Sequence, residues 1–323
     1  MKFIIVGVAG FIGSNLSKSL LNDGHQVIGI DNLEYGNLLN INDIKSNQNF
    51  TFIKGDLVKE ELLTNLKGDI LVHLASQKIP RYENSLRTLE DNNLMTKKVI
   101  EKCLLEKIKL VFASTSDVYG KNPEIPFSEN HDLVLGPTKI KRWAYAASKI
   151  YSEHTIIANS EANNLKFTIV RFFGSFGENQ NLSWWGGPQS VFIEKAIKGE
   201  TIEIHGDGKQ TRTFTYIKDT IDGLKRCCID KKAENEIFNI AGNPNQEIQI
   251  IELAKLIWKL VNPTQNPKLK FIPYKTFGNY EDVKRRVPCI NKIKSQLGFN
   301  PSYSLEEGLK STINWQKRIQ NLL

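Results

Sequence analysis

Short apolar runs separated by polar, helix-patterned stretches make up the first half of the chain. Phe3 to Val6 is a continuous apolar run, the pattern of a strand buried on both faces. Three glycines follow, and then an amphipathic helix is predicted from Phe11 to Asn22. Further strands are predicted at Gln26–Ile30, Phe50–Ile53, Asp69–Leu74, Lys109–Ala113 and Phe167–Phe172, with a helix from Leu89 to Glu106. Strands that alternate with helices imply right-handed parallel crossovers. The expected fold is α/β, a Rossmann-type doubly wound parallel sheet. Beyond Phe173 the pattern loosens. Ser183 to Pro188 reads as a loop. Helices are expected near 189–198, 219–229, 248–260 and 305–320, and short strands near Ile202 and Phe214. These pieces suit a smaller C-terminal substrate-binding lobe over the carboxyl ends of the strands. The expected division is 1–173 for the nucleotide-binding domain and 174–323 for the lobe, with 214–240 returning to the sheet.

Gly7, Gly10 and Gly13 lie where the first strand turns into a helix. Glycine lets the backbone approach a pyrophosphate, and the free N–H groups of the helix start favour the anion. Asp31 ends the second strand, placed to accept hydrogen bonds from a ribose and to repel a 2′-phosphate. NAD is therefore favoured over NADP. Asp56 follows the third strand and is placed to contact adenine. Phe11, Ile12 and Asn32 complete this candidate set. Downstream, Tyr145 and Lys149 are four residues apart, so a helix puts them on one face. A nearby ammonium lowers a phenol's pKa and makes it a usable base. The glycine turn and the Ser/Thr-rich end of the fifth strand lift this pair above a chance Y-x-x-x-K on a surface helix.

Composition narrows the alternatives. The chain has 323 residues and a net charge of +8, with its lysines dispersed and no basic arm. No nucleic-acid-binding motif is present. A diphosphate ligand accounts for local positive charge. Cys103, Cys227, Cys228 and Cys289 match neither zinc-site nor disulfide spacing. No metal is expected, and reduced thiols suit the cytoplasm. The apolar start reads as a buried strand rather than a signal peptide, and no apolar stretch is long enough to span a membrane.

Taken in order along the chain, these motifs resemble the extended short-chain dehydrogenase/reductase family, in its nucleotide-sugar branch. Gly55-Asp56-Leu57 resembles the adenine-side motif, His73-Leu74-Ala75 the fourth-strand motif, and Asn92 the helix asparagine. Gly206 to Asp219, with Thr211-Arg212-Thr213 inside it, resembles the substrate-lobe signature. The resemblance implies tightly held NAD and a nucleoside diphosphate sugar oxidised transiently at C4. It implies Thr115 as the hydroxyl on the sugar O4, Tyr145 as the base, and Lys149 on the nicotinamide ribose. Arg212 and Arg286 would bind the diphosphate, with Arg285 an equal candidate for the second place. A homodimer built on the helices around 92–106 and from Tyr145 onward is expected, the stripe Ile150-Tyr151…Ile156-Ile157 being apolar. The chain departs from the family at Gly174, where an asparagine is usual, at Cys289, and at Lys141-Arg142-Trp143 before the tyrosine. Trp185 and its neighbours are candidate lining for the sugar or base.

C4 oxidation can lead to epimerisation, 4,6-dehydration or decarboxylation. Simple epimerases carry no acid two residues after the threonine. Here the run is Thr115-Ser116-Asp117, and Asp117 occupies the place of the dehydratase carboxylate, which would take the C5 proton. The resemblance therefore points to a 4,6-dehydratase, with a 4-epimerase as the alternative. The triplet and the Trp-Trp-Gly-Gly-Pro loop resemble the dehydratases that take GDP-N-acetylglucosamine in legionaminic acid biosynthesis. Asp117 could instead serve a local turn or cap.

Overall fold

The computed structural model describes residues 1–78, 84–184, 186–278 and 281–320. Six strands, β1 Lys2–Val6, β2 Gln26–Asp31, β3 Phe50–Lys54, β4 Ile70–His73, β5 Lys109–Thr115 and β6 Phe167–Phe172, join a seventh at Glu236–Ile240. Every pairing is parallel, and the order across the sheet is 236–240, β6, β5, β4, β1, β2, β3. The order reverses at β1 and β4, the switch point where open α/β sheets bind ligands. Apolar runs buried on both faces make two cores, one on each side of the sheet.

The helices are α1 Phe11–Asn22, α2 Ser85–Glu106, α3 Arg142–Asn163, α4 Pro188–Ile197, α5 Ile217–Ile229, α6 Ile250–Val261, α7 Asn291–Leu297 and α8 Leu305–Gln320. α2 begins four residues before its expected start because Asn84 caps it, its side chain accepting from Leu86 N at 2.9 Å. α3 begins at Arg142, not Tyr145, which brings a cation into its first turn. β5 runs on to Thr115, which sets that hydroxyl at the strand's carboxyl end. The Glu236–Ile240 strand, pairing beside β6, shows that the chain returns to the main sheet after α5.

The later segments build small sheets. Thr211–Arg212 lies between Ile248–Gln249 (antiparallel) and Arg285–Arg286 (parallel), with Arg212 and Arg286 as register partners. Ile202–His205 pairs with Leu269–Ile272, and Thr215–Tyr216 with Ser175–Phe176, so Phe214 falls between two short strands rather than inside one. No helix among the described residues is long and apolar enough to cross a membrane. The four cysteines are free thiols, three of them buried.

Candidate active site

A cavity of about 800 Å³ lies over the carboxyl ends of β1, β4, β5 and β6. One end is backbone. Gly7 has φ +92°, and a Cβ there would sit 2.8 Å from Ala75 N. A Cβ on Gly13 would strike the Gly7 carbonyl. Only glycine lets α1 start this close to the strands. Gly10 caps α1 with no side-chain acceptor on its first N–H groups, and Gly7, Gly10, Phe11, Ile12 and Gly13 all line the cavity. Exposed N–H groups at a helix start suit an anion such as a dinucleotide's pyrophosphate.

Asp31 is 8% exposed; its carboxylate accepts from Ala9 N at 2.9 Å and Leu33 N at 2.8 Å. Burial raises its pKa against the opposing pull of these bonds. The same group thus fixes the glycine turn, and it is not among the residues that line the cavity. Asp56 accepts from Val58 N at 2.9 Å, capping the turn after β3. Leu57 is buried in the core, and Asn32 is exposed, accepting from Glu34 N. Leu74 lines the cavity, and Ala75 packs on Gly7. Asn92 is buried away from the cavity lining. Its amide spans Gln77 N and O, Ser76 Oγ and Ser148 Oγ at 2.7–3.2 Å, bracing the loop after β4 against α3. Asn92 therefore acts on the site through Ser76 and Gln77.

The reactive end gathers Thr115, Tyr145 and Lys149 at the junction of β5 and α3. The Tyr145 hydroxyl hydrogen-bonds with Ser76 and Thr115. Ser76 carries no motif of its own, and sequence reasoning missed it. Burial first, then the Asp117 charge, push the phenol well above its ordinary pKa, outweighing those hydrogen bonds. The Lys149 ammonium donates to Ala113 O at 2.8 Å and stands 6.0 Å from the centre of the Tyr145 ring. Burial lowers Lys149 to about 7, with Glu153 pulling the other way. The expected lowering of the tyrosine by this lysine is thus overridden in this arrangement. The ammonium is spent on a carbonyl, and desolvation of the phenol dominates.

Asp117 does not cap the turn; Thr115 does, its Oγ1 accepting from Asp117 N at 3.2 Å. The Asp117 carboxylate belongs to an ion-pair chain along the cavity. Its Oδ1 accepts from Arg286 Nη2 at 2.6 Å and from Arg142 Nη2 at 2.8 Å. Arg142 Nη1 reaches Asp282 Oδ1 at 3.1 Å, and Arg212 Nη2 reaches the same oxygen at 2.8 Å. Burial alone would raise Asp117, but Arg286 and Arg142 hold it well below the usual carboxylate range. Asp282 is lowered in the same way by Arg212 and Arg142. These five side chains are 11–22% exposed, so solvent screens them little. Arg285 points away to Glu247 at 2.7 Å, which separates the two adjacent arginines. Arg142 and Asp282 were not among the expected site residues. The unusual Lys141-Arg142-Trp143 run was the one signal for Arg142, and Asp282 had none.

Gly174 lines the cavity with φ +49°, and a Cβ there would sit 2.9 Å from Thr213 O. An asparagine would be strained at this position, so the backbone alone contributes. Trp185 lies outside the described residues. Trp184 lines the far wall, stacked on His205 with centroids 4.4 Å apart, and His205 meets Phe277 at 4.5 Å.

Fold and site together define a dinucleotide-binding enzyme whose cavity runs on from the glycine turn to a wall of paired charges. The family of NAD dependent epimerases and dehydratases matches residues 3–241, and the chain belongs to it. NAD is its cofactor, and the residues of the glycine turn fit it. The UDP-N-acetyl-alpha-D-glucosaminuronate decarboxylase of Bacillus cytotoxicus is 33% identical, over 99% of both chains. The UDP-glucose 4-epimerase of Thermotoga maritima, solved with UDP-glucose, superposes with a TM-score of 0.87 at 27% identity, covering 99% of this chain and 100% of that one. The UDP-glucuronic acid 4-epimerase of Bacillus cereus, solved with UDP-glucuronic acid and NAD, gives 0.88 at 26%, with the same coverage. The chain is therefore an NAD-dependent enzyme of the group that modifies nucleoside diphosphate sugars by epimerisation, dehydration or decarboxylation.

Proposed function

We propose that this chain is a nucleoside-diphosphate-sugar 4,6-dehydratase. The observation that carries the proposal is Asp117: an ionised carboxylate in the cavity wall, two residues beyond Thr115 and electrostatically coupled to Tyr145. NAD, which the glycine turn would hold, would supply a reversible hydride acceptor for C4 and donor for C6. Tyr145, as its phenolate, takes the O4 proton, and Thr115 holds that oxygen by a hydrogen bond. Lys149 holds the nicotinamide ribose. Asp117 removes the C5 proton, giving the enolate of the 4-keto sugar, and passes that proton to the C6 hydroxyl, which departs as water as the C5–C6 double bond forms. Arg212 and Arg286, register partners on adjacent strands, present two guanidinium forks to one diphosphate. Gly174 leaves room for the sugar by carrying no side chain, and the Trp184–His205–Phe277 wall offers apolar faces to a base. GDP-N-acetylglucosamine is the first substrate to try.

A decarboxylase is the second reading. The guanidiniums of Arg142 and Arg286 at the Asp117 wall suit a uronate carboxylate, and the Bacillus cytotoxicus relative is named for a uronate substrate. Mass spectrometry on products from GDP-, UDP-, CDP- and dTDP-sugars, uronates included, separates the readings. Loss of one water supports the dehydratase. Loss of carbon dioxide supports the decarboxylase, and an unchanged mass with a new epimer supports the 4-epimerase.

We also infer a cytoplasmic homodimer that docks through α2 and α3. Leu86, Leu94, Leu105 and Tyr151 are exposed on that pair, whereas Ile156 faces the subunit's own core.

A further inference from the structure

The Asp117 carboxylate presents a contradiction that the dehydratase reading must resolve. A base in that role needs proton affinity, yet two guanidiniums share one of its oxygens. The two arginines are not equivalent. Arg142 is tied at its other end to Asp282 and comes from the first turn of α3. Arg286 comes from the lobe, beside Arg212, and its other Nη donates to a hydroxyl, Ser116 Oγ, at 3.3 Å. Arg212 and Arg286 both line the cavity, where a diphosphate can bridge them. A diphosphate brings two negative charges and several acceptor oxygens, and so competes with a single carboxylate for Arg286.

We propose that Arg286 holds Asp117 inactive in the resting site, and that the substrate's diphosphate frees the carboxylate by drawing Arg286 to itself. Arg142 stays in place because Asp282 anchors it, so Asp117 keeps its position and the charges of Arg142 and the cavity-lining Lys78 while losing that of Arg286. Recognition of the nucleotide half of the substrate thereby arms proton removal at the sugar half. Without a diphosphate the site abstracts no C5 proton, which protects the enzyme from attacking unactivated sugars. This inference rests on the assignment of Arg212 and Arg286 to the diphosphate and of Asp117 to the C5 proton.

The test is 13C NMR of the NAD-loaded protein with labelled aspartate carboxyls, the Asp117 signal being assigned by its loss in Asp117→Asn. With no nucleotide, the signal stays ionised throughout the acid range in which the protein remains folded. With saturating UDP or GDP, the signal shifts and its proton affinity rises at least about tenfold. In Arg286→Met, the signal starts in the shifted position and no longer responds to either nucleotide. An Asp117 signal identical with and without UDP and GDP overturns the proposal, and this wild-type comparison decides even if Arg286→Met does not fold. Failure of the dehydratase reading is distinguishable, because there the signal responds while no nucleoside diphosphate sugar loses water.

Discussion

The cofactor end and the substrate end of the cavity are built by opposite means. The cofactor end is backbone: a strand, a glycine turn and a helix start, closed within the first 33 residues and locked by one carboxylate onto Ala9 N and Leu33 N. The substrate end is side-chain charge, assembled from Asp117, Arg142, Arg212, Asp282 and Arg286, with partners up to 169 residues apart. A backbone site tolerates almost no added atom. A charge network tolerates rearrangement, because its partners can be exchanged for a ligand of the right sign. NAD binding at the first end depends on shape, whereas under the proposed assignment substrate choice at the second depends on which ions the substrate displaces.

The largest expected effect lies where the two ends meet. Tyr145→Phe removes the proton acceptor but neither ligand's binding groups. Turnover should fall about a thousandfold, with NAD and nucleotide retained, as read by steady-state kinetics and by cofactor release on denaturation. Near-normal turnover would move the proton transfer elsewhere.

Gly13→Ala tests the shape-fixed end. Its methyl would meet the Gly7 carbonyl, an overpacking of about 1–3 kcal/mol, so NAD affinity should drop roughly ten- to a hundredfold. Calorimetric titration with NAD checks this, and an unchanged affinity would mean that the turn opens easily.

Arg212→Met tests the charge-built end. Loss of a charge-assisted contact worth about 1.5–3 kcal/mol should raise KM roughly ten- to a hundredfold with kcat little changed. A fall in kcat alone would place Arg212 at the reacting atoms instead.

The last effect is on stability rather than on binding or turnover. Lys149 is lowered from 10.5 to about 7 in the folded chain. Between those values the unfolded chain binds more protons, so stability should rise with pH above about 7 and level off near 10.5. Thermal melts should lose that rise in Lys149→Met. The same slope in the variant would assign it to another group.

The same contrast explains what could be read beforehand. The sheet, α1, Asp31 and the Tyr145/Lys149 pair follow from local periodicity and fixed spacings, and they lie where expected. The reach of Asn92 was misjudged because its partners, Ser76, Gln77 and Ser148, come from two other segments. Asp282 was invisible because a carboxylate in a polar loop looks solvated until three arginines are folded against it. The choice between Arg285 and Arg286 turned on Glu247, 38 residues from Arg285 in the chain. The return of 214–240 to the sheet was expected, but the strand Glu236–Ile240 within it was not located, because five residues of mixed character carry no clear period.

The most direct test of the central claim compares wild-type protein with Asp117→Asn on GDP-N-acetylglucosamine and the other nucleoside diphosphate sugars, reading product mass together with nicotinamide absorbance. The account predicts that wild-type product is lighter by one water, and that Asp117→Asn still oxidises C4 but releases no dehydrated product. Water loss at an undiminished rate in Asp117→Asn, or no loss of water from any of these substrates in wild type, would contradict it.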